Sequence, residues 1–105
     1  MDDVAFDSIA HDEMSYLEDR LSALDPDDVD LTVSSGVLRI DLRDGTKIVI
    51  NSHRAARQIW MAAIATAWHF DPVDEGRWLA TKTNEELRPT LARILRERIG
   101  VAVQL

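Results

Sequence analysis

The sequence predicts an α+β fold: a two-layer α/β sandwich, with two terminal helices packed on one face of an antiparallel sheet of five to six strands. Three observations carry this. Phe6, Ile9, Ala10, Met14, Leu17, Leu21 and Leu24 recur at helical spacing, which marks one buried stripe on a helix over residues 3–24. Short apolar–polar alternations follow, punctuated by Ser35-Gly36, Asp44-Gly45 and the stretch from Asp71 to Gly76, the pattern of successive hairpins. A second helical stripe, Leu87, Leu91, Ile94, Leu95, Arg98 and Ile99, runs to Gly100, a natural C-terminal stop. The order helix, strands, helix puts both helices on one sheet face and leaves the other to water or a partner.

Each element has a local reason. Asp2 and Asp3 sit where the first helix macrodipole favours negative charge, and Asp25-Pro26 ends that helix because a residue before proline avoids the α region. Asp27-Asp28-Val29-Asp30 leads into a strand in which Leu31 and Val33 alternate with Thr32 and Ser34. A two-residue turn at Ser35-Gly36 pairs Val33 with Leu38 and Leu31 with Ile40, all on one face. A three-residue loop with Gly45 in the left-handed region pairs Ile40 with Ile48 and Leu38 with Ile50, and it sends Val49, Asn51 and His53 outward. Ala65-Thr66-Ala67 is the next turn, before Trp68-His69-Phe70. Arg77-Trp78-Leu79 makes a short last strand. Thr83 or Asn84 caps the second helix, with Glu85 and Glu86 in its first turn and Pro89 leaving that turn irregular. Val101 and Val103 fit a groove between the helices.

Composition bounds the function. The 105 residues make one domain, 1–105, with 46% hydrophobic and 30% charged residues. The net charge of -7 disfavours nucleic acid and anionic membrane and favours cations or a basic protein surface. The absence of cysteine excludes disulfides, a thiol nucleophile and thiolate metal sites. No apolar run approaches the roughly 20 residues of a membrane span. The acidic N-terminus is neither a secretory signal nor a transit peptide, so the expected setting is cytoplasmic.

Chemistry-bearing residues fall into two groups. Asp3, Asp7, Asp12, Glu18, Asp19, Asp25, Asp27, Asp28 and Asp30 form an acidic ridge, with His11 on the same helix flank. Oxygen donors suit hard cations such as Fe²⁺, Fe³⁺, Mn²⁺ and Ca²⁺, and a solvated acidic face without a ligand suits the pattern as well. Residues 25–30 do not open an EF-hand loop, since Asp30 stands at its glycine position. The second group surrounds Gln58-Ile59-Trp60. In a strand, Gln58, Trp60 and Ala62 share one face and Ile59, Met61 and Ala63 the other. Trp60 is then an exposed anchor, or, with the register slipped by one, part of the core. His69 and Asp71, two apart on a strand, are either exposed polar residues or neighbours facing one metal. Trp68, Phe70 and Trp78 read as core. No Ser-His-Asp or paired-carboxylate constellation and no glycine-rich phosphate loop is present.

Ile50-Asn51, a polar linker and Gln58-Ile59-Trp60 resemble the central signature of the frataxin/CyaY family, approximately I-N-x-Q-x-P-x-x-Q-[IV]-W. His53 stands where that family has Gln and Ala55 where it has Pro, while Arg54 and Arg57 make the linker unusually basic. The resemblance covers nearly the whole chain and implies the same sandwich. It implies weak iron (Fe²⁺/Fe³⁺) binding by Asp7, His11, Glu18, Asp19, Asp25, Asp27, Asp28 and Asp30, with Ser22 replacing an acidic residue common in relatives. It also implies partners: a cysteine desulfurase and an iron-sulfur scaffold protein. The acidic ridge would meet a basic patch on the desulfurase, and Asn51, His53, Arg57, Gln58 and Trp60 would supply the sheet-face contact. The implied role is a monomeric regulator or iron adaptor of iron-sulfur cluster assembly without covalent catalysis. Two other readings stay open. One is an iron-storage or ferroxidase protein that oligomerises with iron; the other is a protein-binding module whose acidic surface never meets metal.

Overall fold

The computed structural model describes residues 1–105, the whole sequence. Helix α1 spans Asp3–Ser22, and helix α2 spans Leu87–Ile99. Between them lie β1 Val29–Ser34, β2 Val37–Leu42, β3 Lys47–His53, β4 Gln58–Ala63, β5 Thr66–Pro72, β6 Trp78–Ala80 and β7 Glu85–Glu86. They form one antiparallel meander in the order β1-β2-β3-β4-β5-β6-β7. The sandwich is the one the sequence predicts, with seven strands instead of five to six, because the short β7 adds to β6 just before α2. Neither helix is long and apolar enough to cross a membrane.

Turn chemistry sets the register of the first three strands. Ser35 and Gly36 both take positive φ, 49° and 77°, as a two-residue turn that follows strand twist requires. The pairs Val33↔Leu38 and Leu31↔Ile40 follow. Gly45, at φ 91°, closes the three-residue loop and brings Leu38 opposite Ile50 and Ile40 opposite Ile48. Leu38, Ile40, Leu42, Ile48 and Ile50 are buried beneath the helices. Val33 departs from expectation: its pairing is the predicted one, yet it is 46% exposed. It lies near the end of an edge strand, beyond the cover of the helix layer.

Later boundaries differ from the sequence reading. The β4–β5 turn is Ile64-Ala65, since Ala63 pairs with Thr66. Ile64 takes φ 61°, a left-handed conformation that a β-branched residue resists. Strand β5 runs on through Pro72 into a short turn at Asp74–Gly76. Thr83 and Asn84 do not cap α2. Their amides donate to Ala80 carbonyl oxygen and turn the chain from β6 into β7, and Glu86 stands at the N-cap. Pro89 is therefore the third helical residue, where the amide hydrogen has no intrahelical partner, and it leaves the helix regular. Helix α1 ends at Ser22, two residues earlier than its apolar stripe suggests. The C-terminal tail lies back on the core through half-buried Val101 and Val103, and Arg20 of α1 donates to the Gln104 carbonyl at 2.8 Å.

Polar links fasten the two layers. Glu13 is buried on α1 and accepts from Arg88 of α2 at 3.0 and 2.7 Å, while the Arg88 guanidinium lies 3.9 Å from the centre of the Tyr16 ring. Losing one partner would strand a buried charge, so this pair holds the helices in one relation. Glu85 of β7 accepts from Trp68 Nε1 and from Arg93 of α2, both at 3.0 Å. No buried side-chain polar atom lacks a partner.

Two outcomes follow. Trp78 is 3% exposed and meets Phe6 edge-on, with ring centres 6.0 Å apart. Trp78→Ala should cost about 3–5 kcal/mol in urea melts; a loss below about 0.5 kcal/mol would remove Trp78 from the core. The second concerns acid. Hydrogen bonds from Trp68 and Thr83, with Arg93 nearby, hold the Glu85 carboxyl below the usual carboxylate range. A lowered folded-state value contributes stability above the unfolded value near 4, and that contribution is lost as pH falls through the range below it. The urea midpoint of Glu85→Gln should therefore fall less steeply than that of wild type between neutral pH and about pH 3. Parallel curves would contradict this.

Candidate functional site

The outer face of the sheet is set by the β3–β4 register. Ile50 pairs with Met61 and Asn51 with Trp60. Ile59, Met61 and Ala63 go to the core at 0–3% exposure, so Gln58, Trp60 and Ala62 point away from the helices. The outward register of Trp60 is the one realised. Asn51, Trp60 and His69 lie in one row across β3, β4 and β5.

Trp60 is held rather than loose. His53 of β3 stacks on one side, with ring centres 3.9 Å apart and planes 15° from parallel. His69 of β5 stacks as well, at 4.2 Å and 15°. The indole Nε1–H donates to Gln58 Oε1 at 2.8 Å, and Gln58 Nε2 donates to Asp71 at 3.0 Å. The Ala56 amide donates to His53 Nδ1 at 3.3 Å, fixing that ring to its own loop. His69 and Asp71 thus belong to the Trp60 cluster. Strand alternation had put them on one face, but their stacking and relay roles needed the neighbouring strands to be known.

Arg57 goes elsewhere. It takes φ 53° and donates to the Met1 carbonyl and to Asp3, while neighbouring Arg54 pairs with Asp7. The basic linker therefore fastens the β3–β4 connection to the start of α1. Of the residues expected at the sheet-face contact, Asn51, His53, Gln58 and Trp60 are together and Arg57 faces the helix layer's end.

The acidic ridge is spread out. No three His, Asp or Glu side chains converge as a metal cage would require. Asp7 is occupied by Arg54 and Asp28 by Arg43. His11 is exposed and its Nε2 lies 3.5 Å from Ser15 Oγ. Asp25 organises its own turn by accepting from the Asp27 amide at 2.9 Å. Glu18, Asp19, Asp27 and Asp30 make no ion pair. What remains is an open set of single carboxylates around the end of α1 and the entry to β1. Such donors fit a weakly held, largely hydrated hard cation.

Comparison with known proteins bears on both surfaces. Residues 1–101 match the model of the frataxin-like domain. The iron-sulfur cluster assembly protein CyaY of Ralstonia pickettii is 36% identical over 103 residues, covering 95% of this chain and 90% of that protein. Its counterpart in Dechloromonas aromatica is 36% identical over 106 residues, covering 100% and 99%. Among solved structures, frataxin from Psychromonas ingrahamii superposes with a TM-score of 0.88 at 22% identity, over 99% of this chain and 97% of that one, a likeness of fold. Trimeric frataxin from the yeast Saccharomyces cerevisiae, complexed with ferrous iron, gives 0.76 at 27% identity over 89% and 87%. Family model, full-length relatives and fold agree along the chain, which belongs to the frataxin family.

Proposed function

We propose that this chain serves iron-sulfur cluster assembly as a regulator or iron adaptor, binding a cysteine desulfurase working with its scaffold protein. The observation that carries this reading is the ordered Asn51–Trp60–His69 row on a sheet face that no element of the fold covers. A large aromatic fixed on an open face is the kind of residue on which binding energy concentrates. The acidic surface at the end of α1 would meet a basic patch on the desulfurase and would carry iron as cargo, not as a resident cofactor. Glu18, Asp19, Asp25, Asp27 and Asp30 are its main donors, with His11 beside them. Asp7 and Asp28 join only when their arginines release them. The protein needs no covalent catalysis of its own in this role, and a cytoplasmic setting suits a chain without cysteine.

A second reading has one observation behind it: the yeast frataxin in a ferrous complex is trimeric. On that reading this chain would assemble with iron as a store or ferroxidase. Iron-dependent oligomers that consume oxygen would favour it.

The test is the rate of desulfurase turnover and of cluster formation on the scaffold, with and without this protein, at set iron concentrations. Either rate should change, up or down, and Trp60→Ala should remove the effect while the protein stays folded, its stability falling by less than the ~3–5 kcal/mol of a core tryptophan. Rates indifferent to the protein would overturn the reading.

A second outcome concerns iron. Fe²⁺ titrated against labelled protein should perturb signals of Glu18, Asp19, Asp25, Asp27 and Asp30 before those of Asp3 and Asp7, which arginines hold. The apparent affinity should be no tighter than about 10⁻⁵ M. Glu18→Lys combined with Asp19→Lys should weaken it. Shifts that begin at Asp3 and Asp7, or none at millimolar metal, would reject this distribution.

A further inference from the structure

Trp60 has unusual surroundings for a residue on an open sheet face. Imidazoles from two different strands stack on it, His53 at 3.9 Å and His69 at 4.2 Å, both planes 15° from its own. Its one polar group is already bonded, to Gln58, which is bonded in turn to Asp71. The five side chains come from three neighbouring strands, and Trp60 stands at the centre of the stack. An unrestrained surface tryptophan samples several rotamers and must be ordered when a partner arrives. Here that ordering has taken place on folding, which removes a cost from association.

From this we infer that His53 and His69 are positioning residues that present Trp60 to its partner by its edge. The inference rests on the sheet-face reading above and adds how that face is recognised. With both ring faces stacked, a partner's guanidinium or aromatic ring has no face of Trp60 to lie on. With the indole N–H satisfied internally, the partner need not offer it an acceptor. The edge of an aromatic ring carries the positive side of its quadrupole. The fitting contact is therefore an apolar side chain or the face of a partner's aromatic ring, meeting Trp60 edge to face.

The experiment uses the full chain and its desulfurase–scaffold complex, with His53→Ala, His69→Ala, His53→Phe and Trp60→Ala compared. In the free protein, hydrogen exchange of the Trp60 indole N–H should speed up in both His→Ala variants and return toward wild type in His53→Phe. Affinity measured calorimetrically should fall about 3- to 10-fold in each His→Ala variant, the scale of ordering one side chain on association, and recover in His53→Phe. Urea melts should stay cooperative and show no more than the loss of the stacked pair itself, so unfolding does not account for the weakened binding. If both His→Ala variants bind like wild type while Trp60→Ala loses binding, the positioning role is wrong and the sheet-face reading survives. If exchange of the indole N–H is unchanged, the positioning role is also wrong. If Trp60→Ala itself binds like wild type, the sheet-face reading falls and takes this inference with it.

Discussion

The β3–β4 ladder is the constraint on which the rest depends. It pairs Ile50 with Met61 and Asn51 with Trp60, and a slip of one residue would exchange the two sets between core and solvent. The inward set is inseparable from the helices above it, because Ile48, Ile50, Ile59 and Met61 are all at most 1% exposed. Burying them fixes the outward set without any further interaction. Trp60 therefore reaches its position as a consequence of core packing, and its two histidines reach theirs because β3 and β5 are paired to the same central strand.

The helix layer has its own lock in the Glu13–Arg88 pair over Tyr16, the one ion pair with a nearly fully buried partner. The other ion pairs are more exposed, and such pairs contribute little each. Their effect is on where negative charge remains available. Arg54 and Arg57 bind the acids at the start of α1, and Arg43 takes Asp28. The unpaired acids are left toward the end of α1 and the turn into β1. The two proposed surfaces of this chain thus have different characters. One is a set of hydrated carboxylates open to ions and basic side chains; the other is a rigid aromatic row bearing little charge.

Much of this was legible in the residues. Ser35-Gly36 and Gly45 announced turns whose loop lengths fixed three strands, since each has the small or polar chemistry that positive φ demands. Outward Asn51 followed from those turns. Ile64 was not legible as a turn residue, because a β-branched side chain gives no local sign that it will take φ 61°. Strand β7 was hidden for a related reason: Thr83-Asn84 followed by two glutamates is also a good helix start, and only pairing with β6 decides between them. At the candidate site, alternation identified which residues share the face but not what they do to each other. His53 reaches Trp60 diagonally from β3 while His69 faces it directly from β5, and the Arg54–Asp7 and Arg57–Asp3 pairs join residues about fifty positions apart. Such links appear only once the register is known.

On the function proposed above, the outer sheet face, with Trp60 at its centre, is where this chain meets its assembly partners. Hydroxyl-radical footprinting of its three tryptophans, free and bound to the desulfurase–scaffold complex, tests it most directly. Trp68 and Trp78, at 7% and 3% exposure, should react slowly in both states. Trp60 should react in the free protein and become protected in the complex. A Trp60 equally reactive in both states, with protection confined to the helices, would contradict the claim.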